Sequence, residues 1–405
     1  MTTRRQALQL LGGTAALMGL PGLAFAAPPG ERRAGERRLV FMFLRGGMDG
    51  LSAVPPYGDP QYAARRGPLA LPAPGSAGGA LDLDGHFGLN PNLGEMHKLF
   101  AARELAVLHA VASPYRERSH FDAQNLVENG TARPFGRESG WLNVALGIGG
   151  VGDGRTSSGT PGFALGPNIP LVLRGPTQIG SWSPSRLPVP DADLLERLAA
   201  LYRGDALLER SFSVAREAQA MMAGRDAGNS MDGQTLPVVE LARAAGEILG
   251  KPDGPRVATI DFGGWDTHIS QLGEYSQLTR NLRLLDRSIA TLRTALGPAW
   301  RHTAVLIVTE FGRAAAPNGS GGTDHGTAGA AFVAGGAVRG GRVIADWPGL
   351  GPHALHEGRD LRPTLDLRAL FKAALAAQLG LGEAVLATEV FPDSHAVKPL
   401  DALFT

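Results

Sequence analysis

The chain has 405 residues with 39 Lys+Arg against 38 Asp+Glu, so no global field draws it to nucleic acid or to an acidic membrane surface. It has no cysteine, which excludes disulfides, thiolate metal sites and thiol nucleophiles and leaves His, Asp, Glu and main-chain oxygens as metal ligands. Its 56 glycines are roughly double the usual share of about 7%, which favours a loop-rich enzyme over a helical bundle.

The N-terminus reads as an address. Thr3-Arg4-Arg5-Gln6-Ala7-Leu8 precedes a Gly-diluted apolar run from Leu10 to Leu23, and Ala24-Phe25-Ala26 places small residues where a signal peptidase reads. The paired arginines look like a twin-arginine signal, which hands folded proteins to the twin-arginine translocase. Cleavage near Ala26 and a periplasmic or secreted location are therefore expected. The run is short, rich in Gly and interrupted by Pro21, and no other stretch approaches 18 apolar residues, so no stable membrane insertion is expected.

Residues 27–36 form a polar linker, and residues 37–405 read as a single domain. Arg38 to Leu44 is almost wholly apolar, as in a strand buried on both faces; Leu105–Val111, Val257–Ile260, Thr303–Thr309 and Ala331–Ala334 are similar. Helical spacing recurs over Asn92–Arg103, Phe121–Glu128 and Leu365–Leu379. A longer stretch, Ile269–Leu296, places Leu272, Tyr275, Leu278, Leu282, Leu285 and Ile289 on one face. This alternation predicts an α/β fold with a mostly parallel central sheet flanked by helices. Pro55–Leu89 and Gly147–Pro190 read as irregular insertions, the second with a strand-like piece at Pro170–Leu173.

Chemistry concentrates just beyond the apolar runs. Asp49 follows the first strand through Arg45-Gly46-Gly47-Met48, either as a metal ligand at the ligand-binding end of the sheet or as part of an Asp-Gly turn. Ser119 stands at a helix start, as an ordinary cap or as a nucleophile aided by a metal or base. His120 beside it is a metal ligand or an acid/base group. Asp266 and His268 flank one Thr after Gly263-Gly264, and favour a metal loop over simple capping. Glu310 ends the strongest strand and is a further possible ligand, while Arg45 and Arg313 clamp an oxyanion or make structural ion pairs. Asp324-His325-Gly326 puts a carboxylate and an imidazole side by side in a Gly-rich loop, both able to turn to one cation. No Gly-x-Ser-x-Gly elbow ends a strand, and no phosphate loop or dinucleotide turn is found in context, which argues against serine-hydrolase and nucleotide chemistry.

Leu44–Gly50, Ser113-Pro114-Tyr115, Ser119–Gln124, Gly263–His268, Thr309–Arg313 and Gly321–Gly329 resemble the bacterial domain of unknown function 1501 family, and more distantly the alkaline phosphatase-like superfamily of phosphatases and sulfatases. That resemblance implies a metal site built from Asp49, Asp266 with His268, and Asp324 with His325, with Ser119 at the nucleophile position. It also implies a last histidine ligand, for which His353, His356 and His395 are available, and Glu310 stands where a strand-end ligand belongs. The implied function is an exported hydrolase of phosphate or sulfate esters, acting on a small-molecule or glycan ester with one or two divalent ions. Zn²⁺ or Mn²⁺ suits a His/carboxylate set, and Ca²⁺ or Mg²⁺ a carboxylate-rich one. The alternative is a non-catalytic secreted envelope or polysaccharide-associated protein that retains the fold.

Overall fold

A computed structural model describes residues 37–149, 160–184, 190–222 and 237–405. The expected signal and linker, residues 1–36, lie outside the described residues. The strands are β1 (Arg38–Leu44), β2 (Leu81–Asp82), β3 (Gly88–Leu89), β4 (Leu105–Ala112), β5 (Gly162–Leu165), β6 (Ile179–Trp182), β7 (Val257–Phe262), β8 (Thr303–Val308), β9 (Gly329–Ala334), β10 (Arg342–Ile344) and β11 (Leu365–Asp366). The helices named below are α1 (Gly50–Ala53), α2 (Gly94–Ala101), α3 (His120–Asn129), α4 (Trp141–Ile148), α5 (Pro237–Leu249), α6 (Gln277–Leu296) and α7 (Leu367–Leu379).

A nine-stranded sheet runs in the order β10-β4-β9-β8-β1-β7-β5-β6, with β11 also on β4; β2 and β3 pair separately. Every pairing in the large sheet is parallel except those of β9, which is antiparallel to both β4 and β8. The mostly parallel α/β architecture expected from the sequence is thus present, with one reversed strand near its centre.

β1 shows why the apolar runs become central strands. All seven of its residues are buried. Val40, Met42 and Leu44 face a core that includes α2, α5 and α6, while Leu39, Phe41 and Phe43 face one that includes α4 and α7. β8 divides in the same way, with Val305 and Ile307 on one side and Ala304, Leu306 and Val308 on the other. The two-residue period of a strand therefore feeds both layers.

Two readings need correction. The long helical pattern begins at Gln277, not Ile269, because the Ser276 hydroxyl accepts from Thr279 N at 3.1 Å and caps α6. The residues before it pair instead with a neighbouring loop, through Ser270 N to Ser320 O at 3.0 Å and Gln271 N to Gly321 O at 2.9 Å. Leu272 and Tyr275 are consequently exposed. Leu171–Leu173 is a 3-10 turn rather than a strand, and the insertion around it supplies β5 and β6 at one sheet edge.

The reversed strand determines where the site forms. β1, β4, β7 and β8 run in one direction, so their C-terminal ends share an edge of the sheet. β9 runs the other way, so the segment leading into it, with Asp324 and His325, arrives at that same edge.

Candidate metal centre

Three imidazoles and one carboxylate meet at this edge. His120 comes from the first residue of α3, after β4; Asp266 and His268 follow β7; His325 precedes β9. His120 Nε2, His325 Nε2 and Asp266 Oδ1 lie 3.0, 3.2 and 3.5 Å from one another. His268 Nε2 joins them, 3.0 Å from His325 Nε2 and 2.9 Å from Asp266 Oδ1.

The far nitrogens of two rings decide what the near ones can be. His120 Nδ1 lies 2.7 Å from Glu310 Oε1, and His325 Nδ1 lies 2.9 Å from the Arg118 carbonyl. Both partners are acceptors, so each Nδ1 donates a hydrogen, and in the neutral ring each Nε2 is a bare lone pair. Bare lone pairs 3.0 Å apart repel. A proton links only two of them, whereas one cation serves all the donors together. Donors bound at about 2.0–2.1 Å around a tetrahedral ion stand about 3.3 Å apart, close to the spacing of the His120, His325 and Asp266 atoms. The donor set therefore fits a divalent ion, and among the described residues His120, Asp266 and His325 are the group that could hold one.

The charges around the site have clear causes. The Glu310 hydrogen bond raises His120 above the usual imidazole range, against the effect of burial. Burial lowers His325. Burial would raise Asp266, but the bond to Arg313 and its charge outweigh this and bring Asp266 down to about 2. The Phe311 ring lies beneath, 4.7 Å from the His120 ring and 5.0 Å from that of His325.

Arg313 is fully buried and spends its fork on the scaffold. It donates to Gly47 O at 2.6 Å, Thr323 O at 3.0 Å, Trp265 O at 3.2 Å, Gly46 O, and Asp266 Oδ1 at 2.5 Å. One guanidinium thus ties the loops after β1 and β7 to the segment before β9 and aims Asp266. An oxyanion clamp would need donors it has already committed. Arg45 is likewise engaged, with Glu128 at 3.0 Å, Asp261 at 3.0 Å and Gln124 at 3.0 Å.

Three expected ligands lie outside the convergence. Asp49 is buried against Arg66 at 2.5 Å, accepts from Gln271 at 2.7 Å and from Ser52 Oγ at 2.8 Å, and caps α1 through Leu51 N and Ser52 N. Its charge is thereby neutralised by a guanidinium. Glu310 is fully buried, and its Oε1 accepts from Gly46 N at 2.8 Å, His120 Nδ1 at 2.7 Å and Gln124 Nε2 at 2.9 Å. It holds the His120 ring at Nδ1 rather than facing the cluster, a place that carboxylates commonly take behind metal-binding histidines. Asp324 is largely exposed, accepts from Asn318 at 3.1 Å and stands 3.7 Å from His268 Nδ1. Of the histidines, His120 stands in the cluster with His325, and His353, His356 and His395 are not in the group that could hold an ion. Ser119 caps α3 by position, but its side chain makes no capping bond.

Sequence reasoning missed the supporting residues Gln124, Gln271, Arg66 and Arg118. Gln124 had a signal, standing four residues after His120 and therefore on the same face of α3. Arg66 comes from the irregular segment after β1, and no pattern pointed to it.

The model of the family described as "Protein of unknown function (DUF1501)" matches residues 190–391. No curated protein matches the chain. Among solved structures, Ps i-CgsB in complex with k-i-k-neocarrahexaose is similar at TM-score 0.41 and 10% identity, over 90% of this chain and 77% of that one. The C-terminal periplasmic domain of EcEptC from Escherichia coli, in complex with Zn, gives 0.35 and 9% over 75% and 74%. The phosphonate monoester hydrolase of Agrobacterium radiobacter gives 0.34 and 13% over 85% and 74%.

Proposed function

We propose that this chain, whose residues 190–391 belong to the DUF1501 family, is an exported hydrolase of phosphate or sulfate esters that works with one divalent cation. The convergence of the His120 and His325 Nε2 atoms with Asp266 Oδ1, each ring backed by an acceptor at Nδ1, carries this reading. Mostly imidazole donors favour Zn²⁺ or Mn²⁺ over Ca²⁺ or Mg²⁺. Bound there, such an ion supplies Lewis-acid polarisation and lowers the pKa of water.

The residues around the ion have separate tasks. Glu310 and the Arg118 carbonyl hold His120 and His325 with Nε2 inward, and Arg313 holds Asp266. Ser119 adjoins His120 at the N-terminus of α3, where the helix dipole favours an anionic group, and its hydroxyl is the proposed nucleophile. Export rests on the twin-arginine pattern of residues 1–26. No helix among the described residues is long and apolar enough to cross a membrane.

His268 favours a second reading. If it is a fourth ligand beside His120, His325 and Asp266, the ion is closed off, as structural sites are. Arg45 and Arg313 are then scaffold, as their contacts suggest, and the protein is a non-catalytic secreted factor in the envelope or bound to polysaccharide. Elemental mass spectrometry on the mature protein, with His325→Ala beside it, tests the metal. Near one ion per chain, lost in the variant, is expected, and a folded protein that takes up neither Zn²⁺ nor Mn²⁺ refutes it. Turnover of aryl phosphate or aryl sulfate by the loaded protein then separates the two readings.

A further inference from the structure

His325 is gripped by a loop that supplies none of the metal donors. Arg359 donates to the His325 carbonyl, and the next residue, Asp360, is fully buried and accepts from Arg118 Nε at 2.8 Å. Arg118 also reaches Glu357 at 2.6 Å, a residue largely exposed. The loop is itself fixed, with His356 N to Asp360 O at 2.9 Å, Asp360 N to His356 O at 3.0 Å and Ala315 N to Arg359 O at 3.2 Å.

The backbone of Arg118 is unusual. Its φ is +62°, in the left-handed region that a side chain with a Cβ rarely occupies without support. Its carbonyl is the group that accepts from His325 Nδ1 at 2.9 Å. A strained residue whose side chain is pinned by a buried carboxylate, and whose carbonyl touches a ligand, is a device for orientation.

We propose that Asp360 and Arg118 act together as positioning residues for His325. The ion pair with the buried Asp360 carboxylate holds Arg118 in its left-handed turn, and that turn presents a carbonyl which keeps the proton on Nδ1 and leaves Nε2 bare. The inference rests on the metal reading above only for what Nε2 then binds.

The test uses the mature protein, ¹⁵N-labelled and free of metal. Long-range proton–nitrogen spectra at one fixed, mildly alkaline pH report the His325 tautomer, and a separate Co²⁺ titration reports affinity. Wild type should show a single tautomer with hydrogen on Nδ1. Asp360→Asn and Arg118→Ala should each show a mixture and bind Co²⁺ about 10–100-fold more weakly. Arg118→Lys, which keeps a cation for Asp360, should recover most of both properties, and Glu357→Gln should match wild type. If Asp360→Asn does not fold, the Arg118→Ala and Arg118→Lys pair is read in the same way. A single tautomer and unchanged affinity in the Asp360 or Arg118→Ala variant overturns the proposal. A tautomer shift in the variants, in a protein that binds no Co²⁺ even as wild type, upholds the positioning and removes the metal reading instead.

Discussion

Glu310→Gln separates two roles that a carboxylate at a strand end can play. In the structure Glu310 touches no ion site directly; it receives the Nδ1 hydrogen of His120 at 2.7 Å. Glutamine has the same shape. Its oxygen can still accept from Gly46 N, His120 Nδ1 and Gln124 Nε2, as Oε1 does now. Its amide then meets the Thr309 hydroxyl, which stands 2.9 Å from Oε2 and already donates to Leu44 O at 2.8 Å. The second hydrogen of that amide has no acceptor among the described residues, so the substitution removes the negative charge and leaves one buried N–H unpaired.

A charge-assisted hydrogen bond is about twice as strong as a neutral one, and a neutral one is worth about 1 kcal/mol net. The loss is therefore about 1–1.5 kcal/mol, or roughly tenfold in metal affinity. His120→Ala removes a ligand instead. A quarter of the 10–16 kcal/mol apparent for four-ligand zinc sites is roughly 3 kcal/mol, over a hundredfold. Competition titration of Zn²⁺ against a chelating dye, at one pH for wild type and both variants, measures the difference. Equal losses in Glu310→Gln and His120→Ala would make Glu310 a ligand and refute the arrangement described here. An unchanged affinity in Glu310→Gln would refute its orienting role.

Asp49→Asn leaves the fully buried Arg66 facing a neutral partner and should cost about 3–5 kcal/mol in urea unfolding at neutral pH. Burial pushes Asp49 up, but Arg66, Gln271 and Ser52 hold it below the ordinary carboxylate value, so its contribution is present above that value and is lost as pH falls through the depressed one. The gap between wild type and variant should therefore shrink in acid below about pH 4; a gap that stays constant or widens there contradicts the assignment. Asp324→Ala should keep its ion with at most about a tenfold loss, because Asp324 reaches the site only behind His268, whereas His325→Ala should lose it. Metal content that follows Asp324 instead would restore Asp324 as the ligand. Gly326→Ala places a Cβ 2.3 Å from the Arg313 backbone, so it should lower both the melting temperature and ion occupancy; a variant with wild-type values for both would show that the two segments do not need this close approach.

The layers were legible because the physics that forms them is local. A run such as Arg38–Leu44, apolar at both odd and even positions, can satisfy two cores only as a strand covered on both faces. The start of α6 was misplaced for a similar reason in reverse. Leu272 and Tyr275 continue the helical spacing, but the Ser276 cap and the pairing of Ser270 and Gln271 with residues 320–321 override it. Propensity and spacing are weak beside a cap and tertiary hydrogen bonds.

The site was legible in its loops and not in its roles. Asp49, Glu310, Asp266 and Asp324 are four acids near strand ends, and nothing in their spacing tells which one faces the centre. What separates them is their partners: a guanidinium neutralises Asp49, three N–H groups surround one oxygen of Glu310, and Arg313 turns Asp266 inward. Those partners come from segments distant in the chain, so the assignment exists only after folding. The direction of β9 matters in the same way. Had β9 run parallel to its neighbours, residues 324–325 would lie at the opposite edge of the sheet, and His120 would lose the imidazole that stands 3.0 Å from it. The antiparallel pairing with β4 and β8 makes the cluster possible, and the close approach of Gly326 to the Arg313 backbone lets the turn into β9 seat His325 beside His120.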